Sequence, residues 1–410
     1  MERKGQKILC VLLAAALVVS CSYLIYDKYF DHKERQKVTL GVENLESNLE
    51  LFEGKRVGLI TNATGVDSNF ESTIDILNDA VELTALFAPE HGIRGAADAG
   101  DTVENGIDSK TGLPIYSLYG DTKQPTPEML ENVDILVYDI QDVGARFYTY
   151  ISTMYYGMKA AAEKGIPFVV LDRPNPVSGN QVQGCVLEPD FESFVGITEI
   201  PQRYGLTCGE LAGYMNAEDA IGCDLQVIQM ENWERDMYYE DTGLPCWVMP
   251  SPNLPTPDTA VVYSGTCLFE GTNVSEGRGT TRPFEIIGAP WIDGQQLADT
   301  MNAMNLDGVF FRAVSFTPTA SKYENEVCQG VELQVIDRDK FDSVKTGVSL
   351  LYTIRDLYPD DFAYLETNSI DRLTGGSYIR EGTYSLDELY QMFDDSSSQF
   401  QQKASAYYLY

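Results

Sequence analysis

Glu90 stands between Pro89 and His91 in the segment Phe87–Gly95 (FAPEHGIRG), directly after an apolar run that reads as a buried strand. A carboxyl in such a loop is suited to general acid work, because desolvation and a nearby Asp139 or Asp142 favour the protonated form. The bland alternative is a loop brace in which Glu90 pairs with Arg94. A second polar cluster, Asp139, Gln141, Asp142, Arg146 and Tyr148, crowds one strand-to-helix loop (DIQDVGARFYTY). There Gly144 permits a tight backbone and Arg146 offers a planar fork for a carboxylate, while Asp142 could equally cap the next helix. Asp172, Arg173 and Asn175 follow another apolar run. They read either as site residues or as an internal ion pair beside a rigid proline turn. Asn62 ends the first such run. Downstream, Phe269–Glu285 (FEGTNVSEGRGTTRPFE) sets Glu276 and Arg278 among glycines, as a binding loop across a cleft or as a solvated connection.

The elements that must hold these groups are legible as alternating strand and helix. Lys55–Thr61, Val81–Phe87, Val133–Tyr138 and Pro167–Leu171 read as buried strands. Phe70–Asn78, a short Pro127–Asn132 and Tyr148–Lys164 read as helices. That alternation predicts an α/β fold, a parallel sheet covered on both faces, with ligands bound beyond the carboxyl ends of its strands. The five prolines of Pro245–Pro257 exclude regular helix or a central strand and predict a linker or a rigid cleft wall. Beyond them, strands at Thr266–Phe269, Val309–Val314 and Val331–Val335 and a helix at Gly294–Met304 predict a smaller α+β domain from about residue 260. The expected organisation is therefore 1–37, 38–259 and 260–410.

Several chemistries are disfavoured. The turn after the first strand (NATGVDSN) has one glycine where dinucleotide binding needs three, and no phosphate-binding P-loop motif occurs. The GxSxG elbow of serine hydrolases is absent. Two histidines, His32 and His91, leave little for zinc, although a hard-cation oxygen site stays open. Lys+Arg 29 against Asp+Glu 62 gives a net charge of −33, which excludes electrostatic capture of nucleic acid. What remains is carboxylate chemistry of the kind that cleaves glycosidic bonds: one protonated carboxyl, plus a second anion or the substrate's own acetamido group. A non-catalytic, glycan-binding surface protein is the alternative. It would share the same polar loops.

Arg3, Lys4 and Lys7 precede a largely apolar run from Ile8 to Tyr26, the pattern of an export signal with its basic end inside. It reads as a retained signal anchor or, through Val18-Val19-Ser20-Cys21, as a lipoprotein signal with Cys21 acylated. Either places the folded part on the extracellular face of a bacterial cytoplasmic membrane. The six cysteines beyond this segment form no CxxC pair and are expected mostly as buried thiols with one or two bridges.

Five segments, Phe87–Gly95 (FAPEHGIRG), Leu136–Thr153 (LVYDIQDVGARFYTYIST), Val170–Gly179 (VLDRPNPVSG), Glu270–Thr280 (EGTNVSEGRGT) and the terminal YYLY, occur in an order that resembles the exo-β-N-acetylmuramidase (NamZ) family. The resemblance covers the chain from about residue 40 to its end. It implies a Rossmann-like domain joined to a smaller C-terminal domain and an active site between them; no cofactor or metal is expected. The implied reaction releases terminal N-acetylmuramic acid (MurNAc) from the non-reducing ends of peptide-free peptidoglycan fragments, such as MurNAc-GlcNAc saccharides, with Glu90 as the catalytic glutamate. Asp139 or Asp142 would orient a nucleophile or hold the 2-acetamido group. Asn62, His91, Gln141, Tyr148, Asp172, Asn175 and Glu276 are further candidates for binding sugar. The lactyl carboxylate that distinguishes MurNAc calls for a cation, Arg146 first, then Arg173 or Arg278.

Overall fold

Strand β1 (Arg56–Thr61) sets the pattern of the molecule. Successive side chains point to opposite faces of a sheet. Val57 and Leu59 accordingly join a cluster with Leu40, Val42, Ile74 and Leu77, whereas Ile60 packs on the other face with Tyr138, Ile151 and Met154. Both faces are thus buried, which is why the strands read as continuous apolar runs. The computed structural model describes residues 35–93 and 105–410.

The remaining strands of this sheet are β2 (Glu82–Ala88), β3 (Gly106–Ile107), β4 (Pro114–Ser117), β5 (Ile135–Asp139), β6 (Phe168–Leu171) and β7 (Leu225–Ile228). Their order is β3-β4-β2-β1-β5-β6-β7, parallel throughout except for β3. Counting only the parallel strands along the chain gives 3-2-1-4-5-6, so the order reverses between β1 and β5, where Thr61 pairs with Asp139. A doubly wound sheet opens its ligand crevice at that reversal. Helix α1 (Thr73–Ala80), capped by Ser72, buries Ile74 and Leu77 on one face; α2 (Tyr150–Lys164) and α3 (Cys208–Glu218) cover the other.

The C-terminal part starts with α4 (Pro257–Thr266), and its small antiparallel sheet has the order β8-β10-β9, from β8 (Ile286–Ala289), β9 (Val309–Phe316) and β10 (Cys328–Val335). Helix α5 (Gly294–Ala303) packs on this sheet and α6 (Ser343–Leu357) packs on α4 and α5, followed by α7 (Ser369–Thr374), α8 (Tyr378–Glu381) and α9 (Leu386–Ala404). Val38–Tyr410 packs as one unit. Its terminal YYLY returns to the parallel sheet, where Tyr410 Oη donates to Asp172 Oδ2 at 2.8 Å and Arg235 lies 3.5 Å from the centre of the Tyr408 ring.

Some expectations need correction. Thr266–Phe269 is not a strand: it is the end of α4 running into a 3-10 turn, Cys267–Gly271, because Thr256 caps the helix and Pro257 starts it. Pro127–Asn132 forms turns rather than a helix. All six described cysteines are free thiols, five of them buried, so no bridge forms among them. The proposed anchor lies outside the described residues; among those, no helix is long and apolar enough to cross a membrane.

Candidate active site

β2 ends at Ala88, and the chain then turns on itself with Gly92 N donating to Pro89 O at 3.0 Å. His91 (φ 71°) and Gly92 (φ 73°) lie consecutively in the left-handed region. For a bulky residue such as His91 that conformation is strained and is held only by its surroundings; the residue is buried. The turn places Glu90 on the wall of a cleft of about 1140 Å³. Glu90 Oε2 accepts from Thr149 Oγ1 at 2.6 Å, a residue at the N-terminal end of α2. The Tyr119 hydroxyl is a second hydrogen-bonding neighbour. Burial, and then the Glu90 charge, push that phenol's pKa up.

Three other segments complete the cleft. Ser251–Leu254, from the proline-rich stretch, forms one side, which makes that stretch a wall. The glycine-rich segment supplies Glu270 and Arg278–Thr281, and the β9–β10 connection supplies Thr317 and Thr319–Ser321. Tyr148, Phe147, Tyr263 and Phe284 form an edge-to-face aromatic chain along it, with the Arg278 guanidinium 5.1 Å from the Phe284 ring centre. Such a surface, apolar faces between a few fixed polar groups, suits a sugar ring. Arg278 Nη2 meets Glu270 Oε1 at 2.5 Å, and its Nε lies 3.3 Å from Glu276 Oε1.

Of the residues singled out from sequence, Glu90, His91, Tyr148 and Arg278 line this cleft. The others gather under it as a buried polar layer. Asp139 is fully buried and its carboxylate is taken by Arg173, at 2.5 and 2.8 Å, and by Thr73. Asp142 accepts from Gly144 N at 2.8 Å and from the Tyr204 hydroxyl, so it braces its own loop instead of capping α2. Neither aspartate lines the cleft, so the expected pairing with Glu90 gives way to these internal bonds. Asn62 Oδ1 holds Thr64, Gln141 donates to Pro174 O, and Asn175 donates to Leu206 O. Asp172 binds Gly209 N, Thr207 Oγ1 and Tyr410 Oη.

Arg146 is the clearest displacement. It is fully buried and donates to three backbone carbonyls, those of Cys185, Ile200 and Leu373, which tie α7 to the parallel sheet's loops. Burial without a carboxylate partner lowers its pKa to about 10. Arg173 is spent on Asp139. Glu276 lies beneath the cleft between Arg278 and Lys322. Arg278 is therefore the one lysine or arginine among the described residues lining the cleft. Arg94 lies outside the described residues. Tyr119 and Thr149 escaped the sequence reading, since a hydroxyl next to a motif carries no spacing signal. The reversal-point crevice itself is closed to about 20 Å³ by Arg173, Gln141 and residues 244–246.

The chain matches two family profiles: exo-β-N-acetylmuramidase NamZ, N-terminal, over residues 57–258, and exo-β-N-acetylmuramidase NamZ, C-terminal, over residues 261–410. It is 53% identical over 383 residues to the peptidoglycan β-N-acetylmuramidase NamZ of Bacillus subtilis (strain 168), covering 92% of each chain. Two crystal structures of DUF1343 family proteins from Bacteroides fragilis NCTC 9343 are also similar. One aligns with a TM-score of 0.86 and 41% identity over 92% of this chain and 100% of that one. The other gives 0.75 and 32% over 92% and 99%. The chain belongs to the exo-β-N-acetylmuramidase NamZ family.

Proposed function

We propose that this protein is an exo-acting glycosidase that removes terminal MurNAc from the non-reducing ends of peptide-free peptidoglycan fragments. The observation that carries it is Glu90, fixed by a strained turn and by Thr149 on the wall of a sugar-sized cleft. Glu90 donates its proton to the glycosidic oxygen as the bond to the anomeric carbon breaks, and later takes a proton from the attacking water. The only other carboxylate among the described lining residues is Glu270, which Arg278 holds at 2.5 Å. A carboxylate so neutralised is a poor nucleophile, which favours the substrate's own 2-acetamido oxygen as the group that meets the anomeric carbon. Arg278 meets the lactyl carboxylate.

On this reading a Rossmann-like domain (38–259) and a smaller domain (260–410) share the cleft. The basic and apolar N-terminal segment supports export and retention at the outer face of the membrane, as signal anchor or lipoprotein. Incubating the full-length protein with a chromogenic β-N-acetylmuraminide should release the chromophore, and Glu90→Gln, which keeps the shape and removes the proton, should cost roughly 10²–10⁴-fold in kcat. Retention of the sugar without release would mark a binding protein. Undiminished turnover in Glu90→Gln would reassign the acid.

A further inference from the structure

Lys322 lies in the loop between β9 and β10, two residues beyond Ala320 on the cleft wall. Its neighbours Ser321 (φ 70°) and Tyr323 (φ 58°) both occupy the left-handed region, so the backbone bends sharply on either side of it. The ammonium group is driven inward and all three of its donors are used: Phe269 O at 2.7 Å, Val274 O at 3.0 Å and Glu276 Oε2 at 2.8 Å. Glu276, whose side chain is 3% exposed, then reaches Arg278 with its other oxygen. The result is a line of four alternating charges, Lys322, Glu276, Arg278 and Glu270, running from beneath the wall to the cleft surface.

The hydrogen bonds of Arg278 use only Nε and Nη2. Nη1 has no hydrogen-bond partner among the described residues, so one end of the guanidinium remains for a ligand. Its charge alone would not attract an anion: with Glu270 and Glu276 beside it, the local sum is −1. Lys322 brings that sum to zero. A lactyl carboxylate can then approach Nη1 without meeting a net negative wall, and Coulomb interactions at such spacings are strong enough in a half-buried site to decide binding.

We infer that Lys322 is a positioning residue for substrate specificity: by cancelling the charge of Glu276, it leaves Arg278 able to donate to the lactyl carboxylate of MurNAc. This rests on the reading of Arg278 given above. It does not touch the reacting atoms, so its effect belongs in KM and in the discrimination between charged and uncharged substrates.

The test compares a chromogenic muraminide bearing the free lactyl acid with its lactyl methyl ester, using full-length protein. Lys322→Met should raise KM for the acid roughly ten-fold while leaving kcat and the KM of the ester near wild type. The defect should change little with added salt, because the charges involved are largely buried, and Lys322→Arg should largely restore binding. A KM increase equal for acid and ester, or no rescue by arginine, overturns the inference in favour of simple loop support. Should Lys322→Met fail to fold, the double variant Glu276→Gln/Lys322→Met removes both buried charges together; it is expected within roughly three-fold of the wild-type KM for the acid, and a ten-fold defect there overturns the charge argument. Arg278→Ala separates the two readings. If it loses the preference for acid over ester while Lys322→Met keeps it, the Lys322 inference falls alone. If Arg278→Ala keeps the preference, the lactyl reading falls with it.

Discussion

Asp142 and Asp172 hold their protons longer than ordinary aspartates, each with a pKa of about 6, because burial disfavours the charged form more than their hydrogen bonds favour it. Perturbed carboxyls often mark catalytic groups, yet neither lines the cleft, and their partners are two tyrosines, a threonine and backbone amides that organise loops. The consequence lies in stability. Between an unfolded value near 3.8 and the folded value, the native state binds more protons than the unfolded one. The stabilisation is therefore complete below about pH 4 and lost as pH rises through about 6, up to about 3 kcal/mol per group. Asp142→Asn removes that titration. Its urea-unfolding free energy relative to wild type should improve by up to about 3 kcal/mol on going from pH 4 to pH 7. A pH-independent difference would show that Asp142 is ionised throughout. The place of Glu90 on a cleft wall was legible in the sequence because a loop after a buried parallel strand opens towards ligand. The aspartates misled, since the same loop ends that present ligand groups also carry the bonds that close the loops.

At the scale of elements, the central parallel strands were legible because burial on both faces makes them unbroken apolar runs, as in Val133–Tyr138. Short strands such as β3 at the edge and β4 beside it, of two and four residues, carry too little pattern to be seen. Thr266–Phe269 shows the known ambiguity of a short apolar run, which the capping threonine and proline ten residues earlier resolve. The cleft could not be placed from sequence. It opens beside the end of β2 rather than at the β1/β5 reversal, and that depends on where the glycine-rich segment and the β9–β10 loop dock. Gly279 governs this docking. Its φ is 77°, its carbonyl accepts from Thr319 N at 2.9 Å, and a Cβ there would lie 2.5 Å from Ala320 N and 2.7 Å from Ala320 O, both backbone atoms. Gly279→Ala should destabilise by about 1–3 kcal/mol and push Thr319–Ser321 off the cleft wall, raising KM more than it lowers kcat. Gly165→Ala serves as the control: φ is 73° with nothing within 4 Å of the added carbon, so it should lower the Tm without moving KM. Equal KM changes in both variants would refute the docking role.

The whole molecule carries a net charge of −33, and the substrate proposed for it is itself an anion. At low ionic strength the summed field repels such a fragment over distances longer than any contact, which slows its capture. Salt shortens the reach of that field, from about 30 Å at 0.01 M to about 8 Å at 0.15 M. The contact proposed between Arg278, whose side chain is 23% exposed, and a lactyl carboxylate would be partly buried and short, and so screened much less. The two effects therefore separate by range: salt weakens the distant repulsion first and the specific attraction last. kcat/KM for a fragment with a free lactyl acid should rise several-fold between about 0.01 M and 0.15 M salt, whereas its lactyl methyl ester should show little change. The rise should appear in kcat/KM with kcat constant, because the field acts on encounter and not on bond cleavage. If acid and ester respond alike, the charge of the molecule does not reach the cleft, and the acidic surface serves solubility alone.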